Sequence, residues 1–296
     1  MINVGVIGLG DMGIGLANNI IKSGFTCTGF DLRAERLDML EALGGQSAHR
    51  PREVGEHSDA VFIMVMNGQQ VLDVIMGKDG LLKSLKPGAT IILSATIEPK
   101  DARAAAQALE GTGINIIDTP VSGGKSGADN GTLTLMAAAP KAVFEDNLTV
   151  LKAVGEKIFH VGEEAGMGQT VKASLQAFIG ASFTAIFESL VLGSKSGVSG
   201  QVLYDVFSAS SVGSPLFRNC AELIMDRKFE NTGSHIGTMY KDLGISMNLA
   251  RENGVSMFTA AAAYELFQAG ISMFPEGDNW SIVKLLEQIA DTEVTW

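Results

Sequence analysis

The chain has 296 residues, of which 46% are apolar and 19% charged, enough for a buried core and too apolar for a disordered chain. Its 22 basic and 33 acidic residues leave a net charge of −11, which excludes a general nucleic-acid binder because no basic excess remains to neutralise phosphates. Two cysteines, Cys27 and Cys220, cannot form a disulfide framework and fit a reducing cytoplasm.

The apolar start Ile2–Leu9 lacks a preceding basic region and runs straight into a glycine motif, so no targeting segment is expected. In chain order, β-branched runs predict strands at Asn3–Ile7, Thr26–Phe30, Ala60–Val65, Thr90–Leu93, Asn115–Ile117, Leu133–Ala137 and Lys157–His160. Helical patterns separate the early strands, for example at Met12–Lys22, Arg33–Leu43 and Lys100–Leu109. Strand and helix alternating at this pace predict an α/β domain with a mostly parallel, doubly wound sheet of Rossmann type. Beyond Gly162 the pattern is helical throughout, at Gly168–Lys195, Gly200–Ser208, Leu216–Asp226, His235–Glu252, Thr259–Ala269 and Ser281–Ala290. The expected organisation is a nucleotide-binding domain over 1–163 and an all-α domain over 164–296, joined near Gly162-Glu163-Glu164-Ala165-Gly166. The apolar stretch Val171–Gly193 carries Lys172, Gln176 and Glu188 and reads as a helix buried in protein, so no membrane association is expected.

Gly8-Leu9-Gly10-Asp11-Met12-Gly13 follows a buried strand and opens an amphipathic helix, the context in which a GxGxxG string signals dinucleotide binding. Gly8 permits the tight turn, Gly10 lets the backbone approach a pyrophosphate, and Gly13 lets helix and strand pack. Helix-start N–H groups then face the phosphates. Asp11 is awkward beside a pyrophosphate and is expected to point outward. Asp31 closes the second strand, about 20 residues beyond the loop, where a carboxylate accepts ribose hydroxyls and repels a 2′-phosphate. NAD is therefore favoured over NADP, although Arg33 and Arg36 stand nearby.

A second glycine pair follows a strand in Asp118-Thr119-Pro120-Val121-Ser122-Gly123-Gly124. Read alone, it is either an ordinary turn or a nest of N–H groups suited to a carboxylate. Lys172 lies in the first turns of the long apolar helix, with Gln176 one turn later on the same face. Such a lysine either snorkels or functions. To serve as a base near pH 8 it needs its pKa, ordinarily about 10.4, lowered by two or more units, about 3 kcal/mol. A helix N-terminus supplies ~0.3–1 kcal/mol and at most ~2, so desolvation must supply the rest. His49, His57, His160 and His235 lack ligand spacing, and no metal is expected.

Over nearly its whole length the chain resembles the β-hydroxyacid dehydrogenase family, which includes 3-hydroxyisobutyrate dehydrogenase, tartronate semialdehyde reductase and the L-threonate dehydrogenases. The resemblance rests on Gly8-x-Gly10-x-Met12-Gly13, Asp118-x-Pro120-Val121-Ser122-Gly123-Gly124, Gly168-x-x-x-Lys172 and Lys241-Asp242-Leu243, in that order. It implies an NAD(P)-dependent oxidoreductase with Met66, Asn67 and Thr96 on the nicotinamide side. It further implies that Ser122, Gly123 and Gly124 hold the substrate carboxylate, that Lys172 is the general acid/base, and that Gln176 orients substrate or lysine. Lys241 would close over cofactor and substrate. The L-threonate branch is the nearest in pattern, with tartronate semialdehyde reduction as the alternative. Apart from the resemblance, the apolar helical domain with its long small-residue helix leads us to expect a homodimer or homotetramer formed through it. Leu175 departs from a common asparagine and removes a polar group, which motivates a rival reading as a catalytically silent NAD-binding protein.

Overall fold

The computed structural model describes residues 2–296. The chain divides into two compact units, Met1–Lys172 and Ala173–Trp296. The division falls inside a helix, after Lys172.

The first unit runs β1 (Asn3–Ile7), α1 (Asp11–Lys22), β2 (Thr26–Phe30), α2 (Ala34–Ala42), β3 (Gln46–Ser47), α3 (Pro51–Glu56), β4 (Ala60–Ile63) and α4 (Gly68–Met76). It continues through β5 (Thr90–Leu93), α5 (Pro99–Ala108), β6 (Asn115–Asp118), β7 (Val121–Ser122), α6 (Gly124–Asn130), β8 (Leu133–Ala138), α7 (Lys141–Val154) and β9 (Gly155–Gly162). The sheet order is β3-β2-β1-β4-β5-β6-β8-β7, with β9 paired to β8. Pairing is parallel from β3 to β6, whereas β8 runs antiparallel to both β6 and β7. The chain moves outward from β1 to β3, then returns to β4 on the other side of β1. In a sheet of this order the point of reversal, at the carboxyl ends of β1 and β4, is the usual ligand position.

The two faces of the sheet follow from side-chain alternation. Val4, Val6, Phe62, Ile92 and Ile117 pack into a core with Leu16, Ala17 and Ile20 of α1. Their neighbours Val61, Ile63, Ile91 and Leu93 point the other way, against Val71 and Ile75 of α4 and Ala102 and Ala105 of α5. Both faces are therefore buried, which is why these strands read as continuous apolar runs.

The sequence reading passes over β3 and β7, each two residues long and too short to show a period. Helices α3, α4, α6 and α7 also emerge only in the structure. The short α3 is marked by Pro51 at its first turn, and α4 by Asn67, whose side chain accepts the Gln70 N–H.

The second unit continues α8 (Met167–Lys195) and adds α9 (Gly200–Ala209), α10 (Pro215–Met225), α11 (Ile236–Glu252), α12 (Phe258–Met273) and α13 (Val283–Ala290). Phe183, Phe187, Leu190 and Val191 of α8 join Phe217, Ile224, Leu243, Phe267 and Trp280 in its core. Helix α8 is long and apolar enough to cross a membrane by length and composition. It is less buried than the sequence reading expects, since Phe178 and Leu192 on its outer face are both 69% exposed.

Candidate functional site

The glycine loop behaves as the motif requires. Gly8 sits at φ +89°, and a side-chain carbon there would lie 2.2 Å from the Met64 carbonyl oxygen. At Gly13 the same carbon would lie 1.8 Å from the Gly8 carbonyl oxygen, so loop and helix touch through bare backbone. Gly10 differs: a carbon there would meet only Arg33 Nη2, at 3.8 Å, which leaves room above the loop. Gly10 also caps α1 with no side-chain hydrogen bond, so no side chain shields the positive end of the helix. Asp11 turns outward to Arg36 Nη2 at 3.0 Å, as its charge requires.

Asp31, at the end of β2, accepts the Leu9 N–H through Oδ2 at 2.7 Å and the Arg33 N–H and Nε–H through Oδ1 at 3.0 and 3.2 Å. Burial alone would raise its pKa, but these hydrogen bonds from Arg33 and Leu9 outweigh it and hold the carboxyl below its usual value. A bare backbone cradle, an open helix N-terminus and an ionised acceptor at the strand end fit a dinucleotide.

The residues expected on the nicotinamide side have mixed roles. Met66 is exposed, Asn67 caps α4, and Thr96 is half-buried just beyond β5. At the second glycine pair, Ser122 ends β7 in register with Thr134 of β8. Gly123 (φ +134°) and Gly124 (φ +59°) then turn the exposed backbone into α6. The structure therefore places a short strand pair, not a plain loop, before these glycines.

The start of α8 is tied to the end of β6 by a buried pair, Asp118 and Gln169, to which the sequence assigns no role. Asp118, at the end of β6, is fully buried. Its Oδ2 accepts the backbone N–H groups of Gly166 (2.8 Å) and Gln169 (3.2 Å). Gln169, 1% exposed, donates through Nε2 to Asp118 Oδ1 (2.8 Å) and the Ala95 carbonyl (3.0 Å), and through Oε1 accepts the Ile97 N–H (3.1 Å). Burial pushes the Asp118 pKa up to about 6 despite these hydrogen bonds. At Gly168 a side-chain carbon would lie 2.6 Å from the Asp118 carbonyl oxygen and 2.5 Å from that of Met136, which explains the glycine. Lys172, one turn after Gln169, is only 6% exposed, so it does not snorkel.

Within the helical unit, Gln176 Nε2 donates to Asp242 Oδ2 at 2.6 Å, and Lys241 Nζ pairs with Asp242 Oδ1 at 3.0 Å. Two residues expected at the substrate thus share one buried carboxylate. Ser246, one turn later, donates its hydroxyl to the Ala173 carbonyl at 2.7 Å and secures α11 against α8. Leu175 is half-buried. Among the described residues no cluster of histidine, cysteine and carboxylates could hold a metal, and burial pushes the Cys27 thiol up to about 12, which leaves it unreactive.

Residues 3–162 match the family described as the NAD binding domain of 6-phosphogluconate dehydrogenase, and residues 166–286 the family described as NAD-binding of NADP-dependent 3-hydroxyisobutyrate dehydrogenase. L-threonate dehydrogenase of Cupriavidus necator is 33% identical over 288 residues, 97% of both chains. 2-(Hydroxymethyl)glutarate dehydrogenase of Eubacterium barkeri is 32% identical over 296 residues, covering 99% of this chain and 98% of that one. The crystal structure of 3-hydroxyisobutyrate dehydrogenase from Salmonella typhimurium superposes with a TM-score of 0.87 at 31% identity, covering 96% of this chain and all of that one.

Proposed function

This chain belongs to the β-hydroxyacid dehydrogenase family, and on that premise we propose that it interconverts a small hydroxy carboxylate and its oxo form with NAD. The observation that carries the proposal is Lys172, a lysine withdrawn from solvent at the start of the helix that follows the nucleotide-binding unit. Burial of an amine lowers the cost of its neutral form, which a base must reach.

In oxidation, neutral Lys172 accepts the substrate hydroxyl proton while the C–H bond of the same carbon breaks and its C–O bond becomes a carbonyl. Bound NAD supplies the hydride acceptor. In reduction, Lys172 as an ammonium returns the proton to the forming alkoxide. The Ser122 hydroxyl and the backbone at Gly123 and Gly124 take the substrate carboxylate, which fixes the carbon presented for reaction. Gln176 and Lys241 serve as further substrate contacts, and the Asp242 carboxylate that holds both fixes the direction of the Gln176 amide.

Asp31 supports NAD over NADP, because a carboxylate held ionised repels a 2′-phosphate. The pattern of curated relatives supports an L-threonate-like or 3-hydroxyisobutyrate-like substrate, with tartronate semialdehyde reduction as the alternative. Exposed Phe178, Leu192 and Phe258 support a homodimer or homotetramer built on the helical unit.

The test is NADH absorbance with a panel of L-threonate, D-threonate, 3-hydroxyisobutyrate, glycerate and, in reverse, tartronate semialdehyde, each with NAD and NADP forms. Turnover of one acid, lost by at least about a hundredfold in Lys172→Ala with NADH binding retained, is the expected result. Near-normal turnover in that variant overturns the assignment.

A further inference from the structure

We propose that Gln169, held by Asp118, is a positioning residue that sets Lys172 in register with the Thr96 segment. The inference rests on the catalytic reading of Lys172 above.

The argument starts from what the Gln169 amide touches. Its two hydrogen bonds to the segment after β5 fall on Ala95 and Ile97, the residues on either side of Thr96. Its third goes to Asp118, four residues before Ser122. Its own backbone lies one helical turn before Lys172. A single buried side chain therefore joins the expected nicotinamide-side hydroxyl, the strand leading to the expected carboxylate site, and the helix start that carries the lysine.

The bonding pattern admits only one orientation. The amide needs an acceptor toward the Ile97 N–H and donors toward both the Ala95 carbonyl and the Asp118 carboxylate. Flipping it by half a turn would set donor against donor and acceptor against acceptor. Asp118 is suited to its place because a carboxylate accepts on every face. Its second oxygen takes the Gly166 and Gln169 N–H groups and so anchors the first turn of α8. Hydrophobic packing alone would let that turn slide or rotate slightly, whereas five directional bonds to Asp118 and the Thr96 segment do not. Proton transfer demands such control, because a displacement of about 1 Å costs on the order of a hundredfold in rate.

The experiment compares full-length wild type, Lys172→Ala, Gln169→Met and Asp118→Asn. NADH fluorescence titration counts cofactor-competent sites, and kcat and KM are measured per site with an acid that the wild type oxidises. Gln169→Met keeps the side-chain length and removes all three amide bonds. The expected result is a loss in kcat per site of at least about tenfold, with NADH affinity and both KM values within about threefold of wild type. Asp118→Asn, which removes one acceptor and sets its own NH₂ against Gln169, shows a smaller loss of the same kind and serves if Gln169→Met does not fold. If either folded variant has fewer NADH-binding sites but each turns over as in wild type, the pair is only structural and the inference is overturned. A wild type silent on the whole panel, or a Lys172→Ala protein of normal turnover, sinks the catalytic reading and the inference with it. Loss in Lys172→Ala alone leaves that reading standing while refuting this one.

Discussion

Asp31 Oδ2 accepts the Leu9 backbone N–H at 2.7 Å, so the end of β2 holds the residue between the first two glycines of the loop. One carboxylate thereby shapes the loop, and in the proposed function it also accepts the ribose hydroxyls. Its other oxygen is engaged by Arg33, which keeps it ionised.

Replacing Asp31 by serine removes both the charge and one acceptor. Hydrogen bonds to charged groups contribute ~1.5–3 kcal/mol, so the KM for NAD should rise about ten- to a hundredfold while that for NADP changes far less. Initial rates with both cofactors check this. An unchanged NAD to NADP ratio in Asp31→Ser would show that the carboxylate does not select the cofactor.

The glycines of the loop separate stability from binding. Gly13→Ala drives a carbon into the Gly8 carbonyl and should lower stability by about 1–3 kcal/mol, seen as a reduced Tm. Gly10→Ala meets no protein atom closer than 3.8 Å, so its Tm should match wild type while NADH affinity falls at least about tenfold. Equal loss of stability in the two variants would contradict the geometry.

Lys172→Arg keeps a cation but not a proton that can leave, since a guanidinium stays charged up to about pH 12. Oxidation should fall by at least about a hundredfold and should not recover at high pH, whereas wild-type oxidation rises as the amine deprotonates. A pH–rate profile in both directions tests this. Recovery of the arginine variant at alkaline pH would assign the base to another group.

Asp118 makes a stability prediction with a definite sign. Its folded pKa of about 6 lies above the ordinary value of 3.8. Between these values the folded chain holds a proton that the unfolded chain has lost, so this group's contribution to stability falls as pH rises. Above the window the penalty is complete, about 3 kcal/mol for a shift of about two units. Asp118→Asn has no such titration. The stability of wild type relative to this variant, from urea midpoints, should therefore decline from about pH 4 to about pH 7.5. A gap independent of pH would refute the buried-charge account.

The features legible in the residues are those whose cause is local. Val4 to Ile7 read as a buried strand because both faces are covered, and the glycine string stands out because each glycine meets a backbone demand within a few residues of it. Lys172 is conspicuous because an apolar helix seldom carries a lysine without a reason. By contrast, β7 and α6 were invisible: a two-residue strand has no period, and Val121–Ser122 pairs with β8 only once the chain has turned back.

The bonds around Gln169 join residues more than 70 positions apart to Ala95 and Ile97, and about 50 apart to Asp118. No periodicity in the chain announces such a pairing, because an amide and a carboxylate acquire partners only when strand ends and a helix start converge. The order of residues was enough to specify the doubly wound sheet, the dinucleotide loop and the lysine, since propensity, glycine geometry and hydrophobic period act over short stretches. Three-dimensional packing decided that Lys172 is buried rather than snorkelling, that Asn67 serves as a helix cap, that Gln176 and Lys241 share the Asp242 carboxylate, and that Asp118 holds its charge at a cost. Each of these depends on desolvation and on directional bonds to distant partners, which arise only when folding removes water and brings those partners within about 3 Å.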